Sequence, residues 1–202
     1  MRRLRRVSCI GLFLAVLGFL GGCTTRVVPP VNLQVPAIVF VLDHGRHTSL
    51  VVPAAEGGLV RYAYGDWRYY AERQTGPGHA IAAFLWSTPG ALGRRALPGP
   101  ATAREVRAQV PLVITELYEI EVERQRIGVL RAELDAYFDT ADVQLETPEV
   151  LLSFVRHPRA YSLRHNSNTA LAGWLETLGC RVSGPAILAR WHIDRPTTAD
   201  TR

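Results

Sequence analysis

The chain has 202 residues, of which 48% are hydrophobic and 20% are charged, with 17 Gly and 13 Pro. This composition is typical of a globular protein and excludes disordered, collagen-like and polytopic membrane proteins. All 23 basic residues are arginines, and four of them lie in residues 1–6, so loss of that segment would lower the formal net charge from +5 to +1. The basic character therefore belongs to the N-terminus, and the sequence predicts no nucleic-acid partner.

The N-terminus has the three parts of a secretory signal. Residues 1–6 carry the arginines, residues 10–20 are apolar apart from two glycines, and Gly21 and Gly22 precede Cys23. The apolar stretch is shorter than the ~20 residues of a membrane-spanning helix. We therefore expect the segment to be cleaved. A plain secretory signal and an uncleaved short anchor are the alternatives.

The stretch Leu20-Gly21-Gly22-Cys23 resembles the lipobox of bacterial lipoproteins. This resemblance implies that residues 1–22 are a signal peptide and that Cys23 becomes a lipid-modified first residue. Several acyl chains hold a protein on a membrane far better than one chain does. Because Thr24 rather than Asp follows the cysteine, the resemblance implies a cell-envelope location at the outer membrane, facing the periplasm, with the membrane as partner.

The chain after the lipidation site is predicted to begin with a tether and continue as one domain. Residues 23–36 contain Pro29, Pro30 and Pro36, which disfavour helix and sheet, so this stretch is expected to be extended. Residues 37–202 are then a single folded domain. The 180 residues that follow residue 22 are enough to bury a substantial core.

The first half of the domain is predicted to contain strands. Ile38–Leu42 and Ser49–Val52 are apolar and rich in β-branched residues, and they flank a polar turn. Leu59–Tyr64 could be a third strand, after which Asp66 is placed to cap a helix through Tyr70. Residues 79–86 are a short helix candidate. Residues 87–100 contain three prolines and three glycines and are predicted to be a loop with one strand at most.

The second half is predicted to contain one clear strand and two clear helices. Tyr118–Glu123 alternates between apolar and charged residues, as a half-buried strand does. Arg124–Phe138 has helical apolar spacing, and a further strand is expected at Ala160–Arg164. The last helix has Ser167 or Asn166 as its N-cap and ends before Gly179. These elements predict an α+β fold, with a mixed, mostly antiparallel sheet packed against helices.

Two polar blocks carry the candidate chemistry. One block contains His47 at the entry to a strand, and the other contains Asn166, Ser167 and Asn168 at the start of the last helix. With these blocks the chain resembles a family of uncharacterised bacterial envelope proteins, some encoded near urease genes. That family has a His in the first block and an Asn-Thr-Cys-Asn-Thr-Trp-like second block. The resemblance also covers the stretch Tyr64-Gly65-Asp66-Trp67 and the helix that ends Leu178-Gly179.

These envelope proteins resemble permuted relatives of the papain-like NlpC/P60 hydrolases, so the resemblance implies a papain-like fold. A helix N-terminus stabilises negative charge on a nucleophile and on an oxyanion. The resemblance gives His47 the role of base and places Ser167 where the family has Cys. Asp66 could orient His47, and Tyr161 could line the site.

Each of these residues also has a structural interpretation. Ser167 could be a nucleophile, a remnant in an inactive domain, or the helix N-cap. His47 could be a hydrogen-bonded structural histidine, Asp66 could be only a helix cap, and Tyr161 could belong to the core. His44 and His47 lie three residues apart beside an aspartate, but there is no second ligand pair, so the sequence predicts neither a metal nor a cofactor.

Two functions are consistent with these patterns. The first is a membrane-tethered papain-like hydrolase or acyltransferase that acts on an amide or ester bond, in peptidoglycan or lipid. The second is an inactive papain-like domain that serves as a binding or interaction module of the envelope. The position of the His47 ring relative to the Ser167 hydroxyl distinguishes them, since catalysis requires approach to about 2.6 to 3.2 Å, often looser without substrate.

Overall fold

The computed structural model describes residues 24–70 and 87–195. The predicted signal peptide, the predicted lipidation site Cys23 and the predicted helix at 79–86 lie outside the described residues. In the described part, the helices are α1 Trp67–Tyr70, α2 Ala103–Gln109, α3 Arg124–Asp139 and α4 Ser167–Thr177. The strands are β1 Thr25–Val28, β2 Pro36–Asp43, β3 Thr48–Pro53, β4 Leu59–Asp66, β5 Thr88–Leu97, β6 Glu116–Glu123, β7 Gln144–Thr147, β8 Leu152–Tyr161, β9 Arg181–Ser183 and β10 Trp191–Ile193.

A seven-stranded antiparallel sheet organises the domain, in the order β6-β2-β3-β4-β5-β8-β7. The α+β class and the mostly antiparallel sheet agree with the prediction. The strands predicted around Ile38–Leu42, Ser49–Val52, Leu59–Tyr64 and Tyr118–Glu123 correspond to β2, β3, β4 and β6. These strands were predictable because each has a continuous apolar run or a strict alternation.

Helices cover both faces of this sheet, and the two faces are distinguished by alternate residues of the strands. One face, which we call the α3/α4 face, presents Val41, Leu50 and Tyr62 to the main core cluster, which includes Leu130 of α3 and Leu171 of α4. The opposite face, the α2 face, has a second cluster with Val106 of α2. A third cluster on the α2 face surrounds Phe154.

The region 87–100, predicted as a loop with one strand at most, contains the ten-residue strand β5 in the interior of the sheet. Glycines are needed here because neighbouring groups leave no room for a side chain. A Cβ atom at Gly90 would lie 2.7 Å from the Tyr64 hydroxyl, and one at Gly93 would lie 2.6 Å from the Phe154 ring. Pro89 lies at a shift of register between β5 and β8. The turn-forming composition therefore reflects tight packing rather than a loop.

The strand predicted at Ala160–Arg164 is also corrected. β8 begins earlier, at Leu152, and ends at Tyr161, so it also includes the apolar residues that precede the predicted strand. The residues after α3, for which no element is predicted, contain the short edge strand β7, which pairs with β8. The predicted helices at Arg124–Phe138 and before Gly179 are present as α3 and α4, and Gly179 has a left-handed φ of 93°.

The expected tether differs most from the structure. Residues 25–28 form β1, which pairs antiparallel with β9 and parallel with β10. Val27 is fully buried in the main core cluster. The folded domain therefore includes the residues from Thr25 onwards, and not only those from near Ala37. Pro29 lies just after β1, and Pro36 is the first residue of β2, so neither proline costs a ladder hydrogen bond. None of the helices in residues 24–70 and 87–195 has the length and apolar character needed to span a bilayer.

Candidate functional site

The N-terminus of α4 is capped by Asn166 and not by Ser167, which corrects the N-cap interpretation of the serine. Asn166 Oδ1 accepts hydrogen bonds from the backbone N–H groups of Asn168 and Thr169, at 2.9 and 3.1 Å. Thr169 Oγ1 accepts in return from the Asn166 N–H at 2.8 Å, which completes a capping box. The asparagine reaches the free N–H groups because its backbone is extended, whereas Ser167 is already the first helical residue.

Ser167 is buried at the start of α4 with an unused hydroxyl. The residue is only 1% exposed, and its Oγ has no hydrogen-bond partner among the described residues. Its backbone carbonyl accepts a hydrogen bond from Thr48 Oγ1 at 3.3 Å. A buried hydroxyl without a partner is destabilising, so its presence at a helix N-terminus is unexplained by packing alone.

The loop of residues 184–190 covers this helix N-terminus. Asn166 Nδ2 and Asn168 Nδ2 both donate to the carbonyl oxygen of Ile187, at 3.0 and 3.2 Å. On the other side, Asn168 Oδ1 accepts from Thr48 Oγ1 at 3.1 Å. Asn166 and Asn168 therefore fix the loop and β3 to α4, a role for these two predicted site-lining residues that requires no ligand.

His47 lies on the opposite side of the sheet from Ser167. Thr48 faces α4, and side chains alternate along a strand, so His47 is directed to the α2 face. There its ring centroid lies 5.6 Å from that of Tyr70, which stacks on Phe154. Burial, and then the charge of Arg46, lowers the pKa of His47. Neither His47 Nδ1 nor Ser167 Oγ has a hydrogen-bond partner among the described residues, so the two are not hydrogen-bonded to each other.

Asp66 has the capping role considered from the sequence. Its Oδ1 accepts from the Tyr69 backbone N–H at 3.1 Å, and its Oδ2 accepts from the Thr88 hydroxyl. This carboxylate ties the start of α1 to β5. Among the described residues it makes no hydrogen bond with His47, so the structure does not assemble Asp66, His47 and Ser167 into a triad.

Tyr161 belongs to a cluster of rings just before α4. It stacks on Tyr64 with ring centroids 6.1 Å apart, and Tyr64 in turn lies 4.8 Å from His165 and 5.2 Å from His157. Burial, followed by the charges of Arg159 and His157, lowers the pKa of His165 to about 4. The sequence did not identify this cluster, because β4, β8 and the residues before α4 bring its members together from distant positions.

Arg61 and the polar atoms around it on the α2 face form a second cluster that was not predicted from the sequence. Arg61 is only 2% exposed, and its Nε and Nη1 donate to Ser49 Oγ at 3.1 Å and to the carbonyl oxygen of Val150 at 3.2 Å. Burial lowers the pKa of Arg61 to about 10. The signal in the sequence is an arginine at an inward position of an apolar strand, for which a buried partner is required.

The space available at these residues is small. The cavity beside His44, His47, Arg61 and Tyr70 has a volume of about 20 Å³, which is room for little more than one water molecule. An open groove of about 570 Å³ lies elsewhere, and its lining includes Arg131 and Asp135. None of the predicted site residues lines this groove. In the described part of the chain, no group of three or more His, Cys, Asp or Glu residues is placed to hold a metal ion.

Cys180 is the cysteine that follows the predicted lipidation site in the sequence, and it is buried as a free thiol after α4. Burial raises its pKa to about 12, so it is not a thiolate near neutral pH. This thiol therefore does not replace the cysteine that is absent at position 167.

In comparison with known proteins, no protein-family model matches the chain, and neither a curated protein nor a solved structure matches it.

Proposed function

We propose that this chain is a lipoprotein of the bacterial cell envelope whose papain-like domain acts as a binding module and not as a hydrolase. In this proposal Cys23 carries the lipid, and the domain faces the periplasm from the outer membrane. The lipobox resemblance of residues 20–23 supports the anchor. The placement of the block Asn166–Asn168 at a helix N-terminus against an antiparallel sheet is consistent with the papain-like resemblance.

The separation of His47 from Ser167 carries the choice of a binding module. A serine requires a base within hydrogen-bond reach before it becomes a useful nucleophile. Here the Ser167 hydroxyl is buried without a hydrogen-bond partner among the described residues, whereas the His47 ring contacts Tyr70 on the α2 face. The serine also stands where the resembling family has a cysteine, so both the nucleophile and its base depart from a working pair.

The open groove beside α3 is the candidate surface for binding in this proposal. Its volume of about 570 Å³ lies within the ~300 to 1,000 Å³ typical of small-molecule sites. The 20 Å³ cavity at His47 is too small for a peptide or an acyl chain. A ligand from peptidoglycan or from lipid is the class implied by an envelope location.

Labelling of the full-length lipoprotein in detergent with a fluorophosphonate tests this choice, because the probe reacts with an activated serine whatever the substrate. We expect no labelling of folded protein, under conditions in which an unrelated serine hydrolase in the same tube is labelled. Ser167→Ala and His47→Ala are the matched variants. Labelling of the wild type that is lost in both variants would instead establish the hydrolase or acyltransferase.

The anchor has its own test. Cys23→Ala should move the protein from the membrane fraction to the soluble periplasmic fraction and remove the mass of the acyl chains. Thr24→Ala, one residue further on, should leave both unchanged. Retention of Cys23→Ala protein on the membrane, with an unmodified N-terminus, would contradict lipidation at Cys23 without bearing on the fluorophosphonate result.

A further inference from the structure

The proposed lipid attachment site is separated from the folded domain by a single residue. β1 begins at Thr25, and Thr24 is the only residue between it and Cys23. Consecutive Cα atoms are about 3.8 Å apart, so a lipid attached two residues before Thr25 is held close to the start of β1. The acyl chains therefore have no flexible tether, and the surface around Thr25 must lie close to the bilayer.

Thr25 is fixed to the loop 184–190 by two hydrogen bonds. Its backbone N–H donates to the carbonyl oxygen of Arg190 at 2.8 Å, and its Oγ1 donates to that of Pro185 at 3.2 Å. Gly184 is packed so closely that a Cβ atom there would lie 2.7 Å from the Thr24 carbonyl oxygen. Thr25 is also fully buried. The first residues after the anchor are thus held against this loop, and the loop cannot move far from the lipid.

The loop has a side chain suited to a bilayer surface. Leu188 is 41% exposed, although it is a large apolar residue in a loop. Burial of exposed apolar area at the boundary of headgroups and acyl chains is favourable. Arg190 is exposed two residues further on, and arginines near a membrane are attracted to anionic lipid.

We propose that the loop 184–190 rests on the surface of the bilayer, with Leu188 at the level of the lipid headgroups. The proposal rests on the lipid attachment at Cys23 proposed above. The same loop covers the N-terminus of α4 through the carbonyl oxygen of Ile187. The block Asn166–Asn168 consequently lies directly behind the membrane-facing loop.

Fluorescence quenching by lipid measures this contact. Leu188→Cys and Val113→Cys are introduced separately into the full-length lipoprotein, and each is labelled with a small fluorophore. Val113 is the matched control, because it is 82% exposed and its carbonyl oxygen bonds to His44, whose ring also contacts Ser49 on the α2 face. Cys180 is buried, and the parent protein without a new cysteine gives the background. The proteins are placed in vesicles of phosphatidylethanolamine and phosphatidylglycerol that contain nitroxide-headgroup lipid.

We expect the fluorophore at position 188 to be quenched several-fold more strongly than that at position 113. Equal quenching at the two positions, in protein whose mass shows the acyl chains, would overturn the orientation while leaving the lipoprotein proposal intact. Protein without acyl chains that does not bind the vesicles would instead refute the lipoprotein proposal. The two failures are therefore distinguishable.

A lengthened anchor gives a second measurement on the same labelled protein. Twelve Gly and Ser residues inserted between Cys23 and Thr24 form a flexible coil of roughly 20 Å. If the short connection holds the loop on the bilayer, quenching at position 188 falls several-fold while the protein stays bound. If quenching at position 188 persists, the loop binds the bilayer by its own affinity, which also supports the proposed surface.

Discussion

Thr48 Oγ1 donates a hydrogen bond of 3.1 Å to Asn168 Oδ1, and this bond joins the first residue of β3 to the first turn of α4. Because neighbouring side chains of a strand point to opposite faces, the contact that brings β3 to α4 turns His47 away from it. The two blocks that the sequence singles out are thus adjacent through Thr48 and Asn168, whereas His47 and Ser167 are separated by the sheet.

Asn166→Ala should destabilise the domain, and Ser167→Ala should not. The Asn166 side chain accepts from two N–H groups of α4 and donates to two carbonyl oxygens, so its loss should lower the free energy of unfolding by at least ~1–2 kcal/mol. Ser167→Ala removes a buried hydroxyl that has no partner among the described residues, which should be neutral or stabilising. Urea unfolding followed by circular dichroism measures both. A loss of ~1 kcal/mol in Ser167→Ala would show that the Ser167 hydroxyl has a hydrogen-bond partner in the folded protein.

Tyr62→Phe should weaken the attachment of α3 to the sheet. The Tyr62 hydroxyl donates to Asp135 Oδ1 at 2.6 Å from a fully buried ring. A hydrogen bond to a charged group contributes about 1.5 to 3 kcal/mol, so a loss of that size is expected in the free energy of unfolding. Tyr118→Phe is the control, because its hydroxyl lies 3.4 Å from the Trp191 carbonyl oxygen and should contribute less. Equal losses in the two variants, measured by urea unfolding, would contradict this ranking.

Substitution of neighbouring arginines in β5 should have opposite effects. Arg95 lies directly opposite Arg61 on β4, and its Nη1 is buried with no hydrogen-bond partner among the described residues. Like charges on paired strands repel, so Arg95→Gln should raise the free energy of unfolding by up to ~1 kcal/mol.

Arg94→Gln is the matched control for this pair. Arg94 is bound to Asp135 at 2.8 Å and lies over the Phe138 ring, so its substitution should lower the free energy of unfolding by ~0.5–1 kcal/mol. Thermal unfolding of both variants at low ionic strength measures the difference. Destabilisation by Arg95→Gln would show that this guanidinium is satisfied in the folded protein.

The free energy of unfolding should decrease as the pH is lowered from 6.5 to about 4. In this range His44 is neutral in the folded protein but protonated in the unfolded chain. Burial, and then the charges of Arg61 and His47, lowers the pKa of His44 from 6.5 to about 4, against a hydrogen bond with Val113 that raises it. Between these values the unfolded chain binds a proton that the folded chain does not, so acid favours unfolding.

The urea midpoint at pH 7 and at pH 5 measures this dependence. The midpoint should decrease between the two, and the decrease should be smaller in His44→Gln. His192→Gln, at a side chain that is 68% exposed, should retain the decrease of the wild type. Equal decreases in all three proteins would exclude His44 as a contributor.

The sequence was most informative where its pattern was regular. The alternation of Tyr118–Glu123 predicted β6, and the helical spacing over Arg124–Phe138 and before Gly179 predicted α3 and α4, because one buried face imposes each period. β1 was missed, and β5 was predicted only as one strand at most within a loop, because prolines and glycines dominate local prediction. In β5, Tyr64 requires Gly90 and Phe154 requires Gly93. These rings are 26 and 61 residues away in the sequence, so a prediction from local pattern does not include them.

By itself, the sequence determined the α+β class, most strands of the antiparallel sheet, both long helices and the location of a polar block at the start of α4. These features depend on periodicity and on capping residues that act over a few positions. Only the tertiary structure decided that Asn166 is the cap, that the Ser167 hydroxyl is buried and that His47 faces Tyr70. The face on which a side chain emerges depends on strand register and on which helix packs there. A shift of one residue would exchange the two faces, and no local pattern records that choice.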